Sequence, residues 1–321
     1  MARILVTGAA GFLGSHLCER LLSRNDAVVA LDNLDPFYDT QRKRENLAIL
    51  RSAGGSRFSF VEADIRDGRA CREALRGVDA VVHLAALAGV RPSIADPVRY
   101  MDVNVTGTQV LLQQIDSDSV PFVFGSSSSV YGASAESPFA EDGVTDHPLS
   151  PYAASKRAGE MLCLAWRHLR GNPVACLRFF TVYGPRQRPE MAIHRFAHCI
   201  AHGTPLPFFG DGSSRRDYTY VDDIVDGIVR AMNRVRGFSV YNLGGSSTTS
   251  LQQLVEVLEE RLGRRAVLRR LPDQPGDVPL TCADTSRAMR ELGWRCKTSL
   301  REGIDTFCSW FEQREAAEVS A

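Results

Sequence analysis

The segment Gly8-Ala9-Ala10-Gly11-Phe12-Leu13-Gly14 follows the apolar run Ile4-Leu5-Val6 after a single threonine, and it constrains the fold more than any other stretch of the chain. The apolar run is too short for a helix and reads as a buried strand. From Phe12 onward, Leu13, Leu17, Leu21 and Leu22 recur at helical spacing. A strand, a glycine turn and a helix form the context that a nucleotide fingerprint requires. Gly8 permits a tight turn, Gly11 lets the backbone approach a phosphate, and Gly14 lets the helix pack close to the strand. The free N–H groups and partial positive charge of the helix N-terminus, at Phe12 and Leu13, suit a dinucleotide pyrophosphate.

The rest of the first half repeats the alternation. Strands are expected at 3–7, 27–31, 58–62, 79–83, 120–125 and 174–178. Helices are expected near 12–24, 40–52, 67–76, 94–115 and 152–170. Successive βαβ units predict a doubly wound parallel sheet with helices on both faces and a ligand at the strand C-terminal ends. Gly8, Asp32, Asp64, Ala85 and Ser126 all fall at that edge. Asp32 ends the second strand, where a carboxylate accepts hydrogen bonds from an adenosine ribose and repels a 2′-phosphate, which favours NAD over NADP. Beyond residue 178 the pattern changes. A Gly-, Pro- and Arg-rich stretch at 183–189 precedes a helix near 191–203, and 217–244 reads as a return to the sheet. Residues 249–317 read as short helices and loops, broken by Pro272, Pro275 and Pro279, with a frayed end from about 312. The expected division is a dinucleotide-binding domain of 1–178 plus 217–244 and a smaller mixed α/β substrate domain of 179–216 plus 245–316.

A formal net charge of zero gives no indication of nucleic acid or an anionic membrane as the main partner. The N-terminus enters a strand directly, so no signal peptide is expected, and no apolar run is long enough to span a bilayer. The eight cysteines are scattered and form no C-x-x-C pair, so they read as reduced thiols of a cytoplasmic protein; no metal site is expected.

Tyr152-Ala153-Ala154-Ser155-Lys156 places a phenol and an ammonium at i and i+4 on one helical face. At about 4 Å and an effective dielectric near 20, the ammonium would favour the phenolate by about 4 kcal/mol. That attraction would bring the Tyr152 pKa down from near 10 towards neutrality. Such a phenolate can take a proton from a hydroxyl and later return it. Ser126-Ser127-Ser128-Ser129 follows the strand ending near Phe124, where a hydroxyl can hold the reacting oxygen beside Tyr152. His83, His147, His194 and His198 read as packed or surface histidines, and Trp166 and Trp294 as core residues.

With these residues in place, the chain resembles the extended short-chain dehydrogenase/reductase family over nearly its whole length. The resemblance rests on Thr7-Gly8-x-x-Gly11-x-x-Gly14, Asp64, His83-Leu84-Ala85-Ala86, Asn104, Ser126 to Gly132, Tyr152-x-x-x-Lys156 and Arg216-Asp217-Tyr218-x-Tyr220-Val221-Asp222-Asp223. Within that family the chain is most similar to nucleotide-sugar 4-epimerases acting on a UDP-uronate, through Ala88-Gly89-Val90-Arg91, Arg178 to Pro185, Arg188-Pro189-Glu190-Met191 and Gln274-Pro275-Gly276-Asp277.

The resemblance implies a Rossmann-type fold, tightly held NAD, a UDP-sugar substrate and a homodimer formed through a four-helix bundle. It implies Tyr152, Lys156 and Ser127 as catalytic residues. Around NAD it implies Gly8, Gly11, Phe12, Leu13, Gly14, Asp32, Asn33, Asp64, Ile65, Leu84, Ala85, Ala86, Asn104, Ser126 and Phe179, with Tyr152 and Lys156. Around the sugar nucleotide it implies Ala88, Val90, Arg91, Ser127, Ser128, Thr181, Arg188, Met191, Arg216, Gln274 and Asp277. Epimerisation of UDP-glucose and decarboxylation of UDP-glucuronate remain alternatives at this point. Elimination of water is disfavoured, because Ser128-Ser129 stands where family dehydratases carry Asp-Glu.

Overall fold

The computed structural model describes residues 1–132, 136–272 and 278–319. Six strands build most of the central sheet: β1 (Arg3–Thr7), β2 (Ala27–Asp32), β3 (Phe58–Glu62), β4 (Ala80–His83), β5 (Phe122–Ser127) and β6 (Val174–Phe179). The strand Phe238–Leu243 adds a seventh beside β6, and the order across the sheet from that edge is Phe238–Leu243, β6, β5, β4, β1, β2, β3. Every pairing is parallel. The winding direction reverses between β1 and β4, so a crevice opens there at the strand C-terminal ends. The strands read as continuous apolar runs because helices cover both faces. Two large clusters of buried side chains follow, one including Ile4, Val6, Val82 and Leu177, the other Leu5, Val29, Val81 and Cys176.

The glycine turn behaves as its residues require. Gly8 has φ +69°, a backbone conformation that only glycine adopts without strain. A Cβ on Gly14 would lie 2.0 Å from the Gly8 carbonyl oxygen, so the helix Phe12–Ser23 can approach the turn only without one. No side chain caps that helix.

The helix Pro151–Arg170 starts with Ser150 accepting from the Ala153 N–H at 3.1 Å and with Pro151 in its first turn; it ends at Gly171, φ +87°. Gly159 lets it press onto β5, since a Cβ there would sit 2.3 Å from the Phe124 ring.

Three segments depart from the sequence expectation. Strand β5 runs two residues further than 125, so Ser126 and Ser127 are still paired, with Arg178 and Phe179. The helix expected over 94–115 is divided: Val90–Ala95 ends at Asp96, whose φ −138° and ψ 67° leave the helical region ahead of Pro97. Asp96 then caps Pro97–Met101, and a wide π-type turn at Asp102–Thr106 leads into Gly107–Gln113. Finally, the C-terminal region contains the helix Leu251–Leu262, a strand Val267–Leu271 paired with Pro205–Phe209, and a long helix Leu300–Val319. The expected fraying is absent as far as Val319, because Ile304, Phe307 and Phe311 are buried and Arg314 pairs with Glu45 at 2.7 Å.

Candidate active site

The crevice at the β1/β4 switch has a volume of ≈ 500 Å³. Its cofactor side is formed by Gly8, Gly11, Phe12, Leu13, Gly14, Asp32, Asn33, Asp64, Ile65, Leu84, Ala85 and Ala86. Asp32 is nearly buried at the end of β2. It accepts from the Ala10 N–H (3.0 Å) and the Leu34 N–H (2.8 Å), and burial raises its pKa. Two carboxylate oxygens with about four acceptor sites leave capacity for ribose hydroxyls. Asp64 is held by Arg66 and by the Asn33 amide at 2.9 Å, and its pKa falls to about 2, chiefly through the Arg66 hydrogen bonds. The uncapped helix N-terminus, the glycine turn and Asp32 fit a dinucleotide.

The floor of the crevice is wired from below. The Ala85 N–H donates to Thr7 Oγ1 (3.1 Å), which lies 2.7 Å from His83 Nδ1. His83 Nε2 lies 3.0 Å from Thr108 Oγ1, whose hydroxyl donates to the Asn104 carbonyl. The donor order requires hydrogen on Nε2 and a lone pair on Nδ1. Burial, aided by the nearby Lys156, pushes the His83 pKa down to about 3, so the ring is a neutral strut.

The opposite wall carries the chemistry. Tyr152 faces the crevice and has a hydrogen bond to Ser127. Ser127 Oγ already accepts from the Ser129 N–H (3.2 Å) and hydroxyl (3.0 Å), so its own hydrogen is free to be donated to Tyr152 or to a bound oxygen. Lys156 is almost fully buried, donates to the Gly125 carbonyl at 2.7 Å and sits 5.1 Å from the Phe124 ring centroid. Burial lowers its pKa to about 8.

The expected depression of the Tyr152 pKa by Lys156 is not what the geometry gives. Burial raises the phenol, while Ser127 and then Arg188 act to lower it. The lysine ammonium is anchored on the Gly125 carbonyl.

Two other assignments need correction. Asn104 does not line the crevice. Its amide bridges the Leu87 backbone (2.8 and 2.9 Å) to Ser155 Oγ (2.9 Å), so it pins the β4 loop to the Tyr152 helix. Arg91 is turned onto the Phe209 ring at 5.0 Å and is absent from the crevice wall. Ser126 does line it, and its hydroxyl donates to Glu160 at 2.7 Å. Glu160 is also held by Arg178 through two bonds of 2.9 Å.

The substrate side is lined by Ala88, Val90, Ser127, Ser128, Phe179, Thr181, Arg188, Met191 and Arg216. Gln274 and Asp277 lie outside the described residues. Asp217 holds this side together: its carboxylate accepts from the Ala283 and Ser246 N–H groups and from the Thr219 hydroxyl, and its carbonyl accepts from the Thr181 N–H. Sequence reasoning missed Phe37, Tyr38 and Lys43, which line the crevice from the segment after β2. Lys43 donates to the Asp35 carbonyl at 2.8 Å and lies 4.8 Å from the Tyr38 ring centroid. The Asn33 and Asp35 side chains accepting from backbone N–H groups two residues on were the available sign of an ordered loop.

Comparison with known proteins gives a consistent result. Residues 4–244 match the model of the NAD dependent epimerase/dehydratase family. The chain is 39% identical to a UDP-glucuronate 4-epimerase of Thermodesulfobacterium geofontis, over 98% of this chain and 97% of the relative. Among solved structures it is similar to the UDP-glucuronic acid 4-epimerase from Bacillus cereus in complex with UDP-glucuronic acid and NAD: TM-score 0.92, 38% identity, 97% of this chain and 99% of that one. It is also similar to the UDP-glucose 4-epimerase from Thermotoga maritima with UDP-glucose: TM-score 0.88, 32% identity, 98% of this chain and 99% of that one.

Proposed function

The chain belongs to the NAD dependent epimerase/dehydratase family, and from that premise we propose that it interconverts UDP-glucuronate and UDP-galacturonate by epimerisation at C4. The observation that carries this reading is the meeting, in one crevice, of the glycine turn and Asp32 with Tyr152, Ser127, Ser128 and Thr181. The glycine turn and Asp32 would hold NAD there, and the cofactor would supply a reversible hydride acceptor for the sugar C4. Tyr152, as a phenolate to which Ser127 donates, would take the 4-hydroxyl proton and later give it back. Lys156 ties the Tyr152 helix to the Gly125 carbonyl and lines the crevice. Arg188 and Arg216 grip the diphosphate or the uronate, as guanidinium forks suit such anions.

A 4-keto uronate is a β-keto acid and loses carbon dioxide easily. Hydroxyls of Ser128 and Thr181, hydrogen-bonding the charged carboxylate, hold it against that loss. The carboxylates among the described lining residues are Asp32, Asp35 and Asp64, in β2, the segment after it and the one after β3. Glu160, beside Ser126, is held by Arg178, and among the described residues no carboxylate lines the crevice next to Ser127 and Ser128, which supports epimerisation over elimination and decarboxylation. The same framework supports the division into 1–178 plus 217–244 for the cofactor and 179–216 plus 245–316 for the sugar nucleotide. Eight free cysteines, five of them buried, support a reducing cytoplasmic setting. Among the described residues no helix is long and apolar enough to cross a membrane. Exposed Ile94, Val98, Met161 and Leu164, on neighbouring helices, support a homodimer.

The test is direct. Purified protein is given UDP-glucuronate and, separately, UDP-glucose, and the products are resolved by chromatography. UDP-galacturonate from the first and little conversion of the second are expected. The reverse preference would shift the assignment to UDP-glucose epimerisation, and UDP-pentose as the main product would shift it to decarboxylation.

A further inference from the structure

The helix Ala192–His202 carries His198 and His202 four residues apart, hence on one face. Both are about half exposed, at 53% and 45%. Glu315, on the helix Leu300–Val319, reaches across from more than a hundred residues away in sequence. One carboxylate oxygen lies 3.1 Å from His202 Nε2 and the other 3.8 Å from His198 Nδ1. The nitrogen and oxygen atoms offered by the three residues all lie within 4.8 Å of one another. Ligand atoms around tetrahedral zinc stand about 3.4 Å apart, given bonds of about 2.0–2.2 Å. Small side-chain rotations close the difference.

The arrangement has the supporting interaction that metal-bound histidines use. His202 Nδ1 lies 2.9 Å from the His198 carbonyl oxygen, so a hydrogen sits on Nδ1 and Nε2, 3.1 Å from Glu315, is the atom left for a metal once deprotonated. We propose that His198, His202 and Glu315 form a binding site for a divalent transition-metal ion of the zinc class, which clamps the C-terminal helix to the helix Ala192–His202. Two imidazoles and one carboxylate select Zn²⁺ over the hard cations Mg²⁺ and Ca²⁺, with water completing the tetrahedron. None of the three residues lines the active-site crevice, so the ion's role is structural. The site holds the C-terminal helix beside the Arg314–Glu45 pair, which already ties it to the helix Thr40–Gly54.

The test uses the full chain, stripped with a chelator and titrated with Zn²⁺ in competition with a chromophoric indicator. One equivalent bound at micromolar or tighter affinity is expected, unaffected by excess Mg²⁺. The pair His198→Ala with His202→Ala should lose that equivalent, and Glu315→Gln should weaken it about tenfold. At zinc roughly a hundredfold above the dissociation constant, the melting temperature of the unmodified protein should rise by about 3–6 °C, with no rise in the double variant. Should the variants fold poorly, the Co²⁺ form of the unmodified protein gives a second reading: paramagnetically shifted ring protons from two histidines are expected. Absence of a bound equivalent, an unchanged equivalent in the folded double variant, or Co²⁺ shifts from no histidine pair would overturn the proposal.

Discussion

At the scale of single residues, the site depends on which hydrogen each hydroxyl has left to give. Ser127 has two bonds coming in from Ser129 and its own proton to spend, whereas Ser126 has spent its proton on Glu160. Adjacent serines on one strand end therefore do different work, and the difference is invisible in the run Ser126-Ser127-Ser128-Ser129. Ser128 and Thr181 line the substrate side without such commitments being needed for the fold. Replacing Ser128 with Ala and Thr181 with Val should raise the fraction of UDP-pentose among the products by several-fold. An unchanged product partition, measured by chromatography, would remove these hydroxyls from the role of carboxylate holders.

His83 gives a second test at this scale. Its ring is neutral in the fold, with a pKa of about 3, well below the unfolded value of 6.5. The unfolded chain therefore takes up the extra proton, and stability is full above pH 6.5 and falls as pH drops below it. The loss from this one group reaches about 2 kcal/mol at pH 5. Imidazole NMR should show no titration of His83 between pH 8 and 5. A midpoint near 6.5 would contradict the neutral-strut assignment.

At the scale of elements, the helix Pro151–Arg170 is the organising piece. It presents Tyr152 to the crevice, buries Lys156 and Glu160, and meets the helices Val90–Ala95 and Pro97–Met101 along its flank. That flank leaves Val98 78% exposed and Met161 50% exposed, a cost that a second copy would remove. Val98→Asp with Met161→Lys should convert a dimer to a monomer in size-exclusion chromatography with light scattering. A monomeric parent protein, or a dimer indifferent to both changes, would count against this face.

The same elements show what was legible in the sequence. The glycine turn, β1–β4, β6 and the Tyr152 helix were readable because periodicity and punctuation coincide there. The division of 94–115 was harder, because it turns on Pro97 and on a π-type turn that carries no residue signature. The long C-terminal helix was missed because its apolar positions Ile304, Phe307 and Phe311 are followed from about 312 by a polar tail that gives no apolar repeat. Asn104 and Arg91 were placed at the site by motif, and only the tertiary arrangement shows the first bracing a loop and the second stacked on Phe209.

For the molecule as a whole, the parallel sheet fixes the geometry from which activity follows. Its reversal between β1 and β4 brings a dinucleotide cradle and a hydrogen-bonded phenol to opposite sides of one crevice. The central claim is that hydride leaves and re-enters the same sugar carbon, C4, while Tyr152 handles only the hydroxyl proton. UDP-glucuronate carrying deuterium at C4 tests this most directly, with the product analysed by mass spectrometry and NMR. The account predicts UDP-galacturonate that retains the deuterium at C4 in ordinary water. Loss of the label to solvent would mean that C4 gives up a proton instead of a hydride, and would contradict the mechanism.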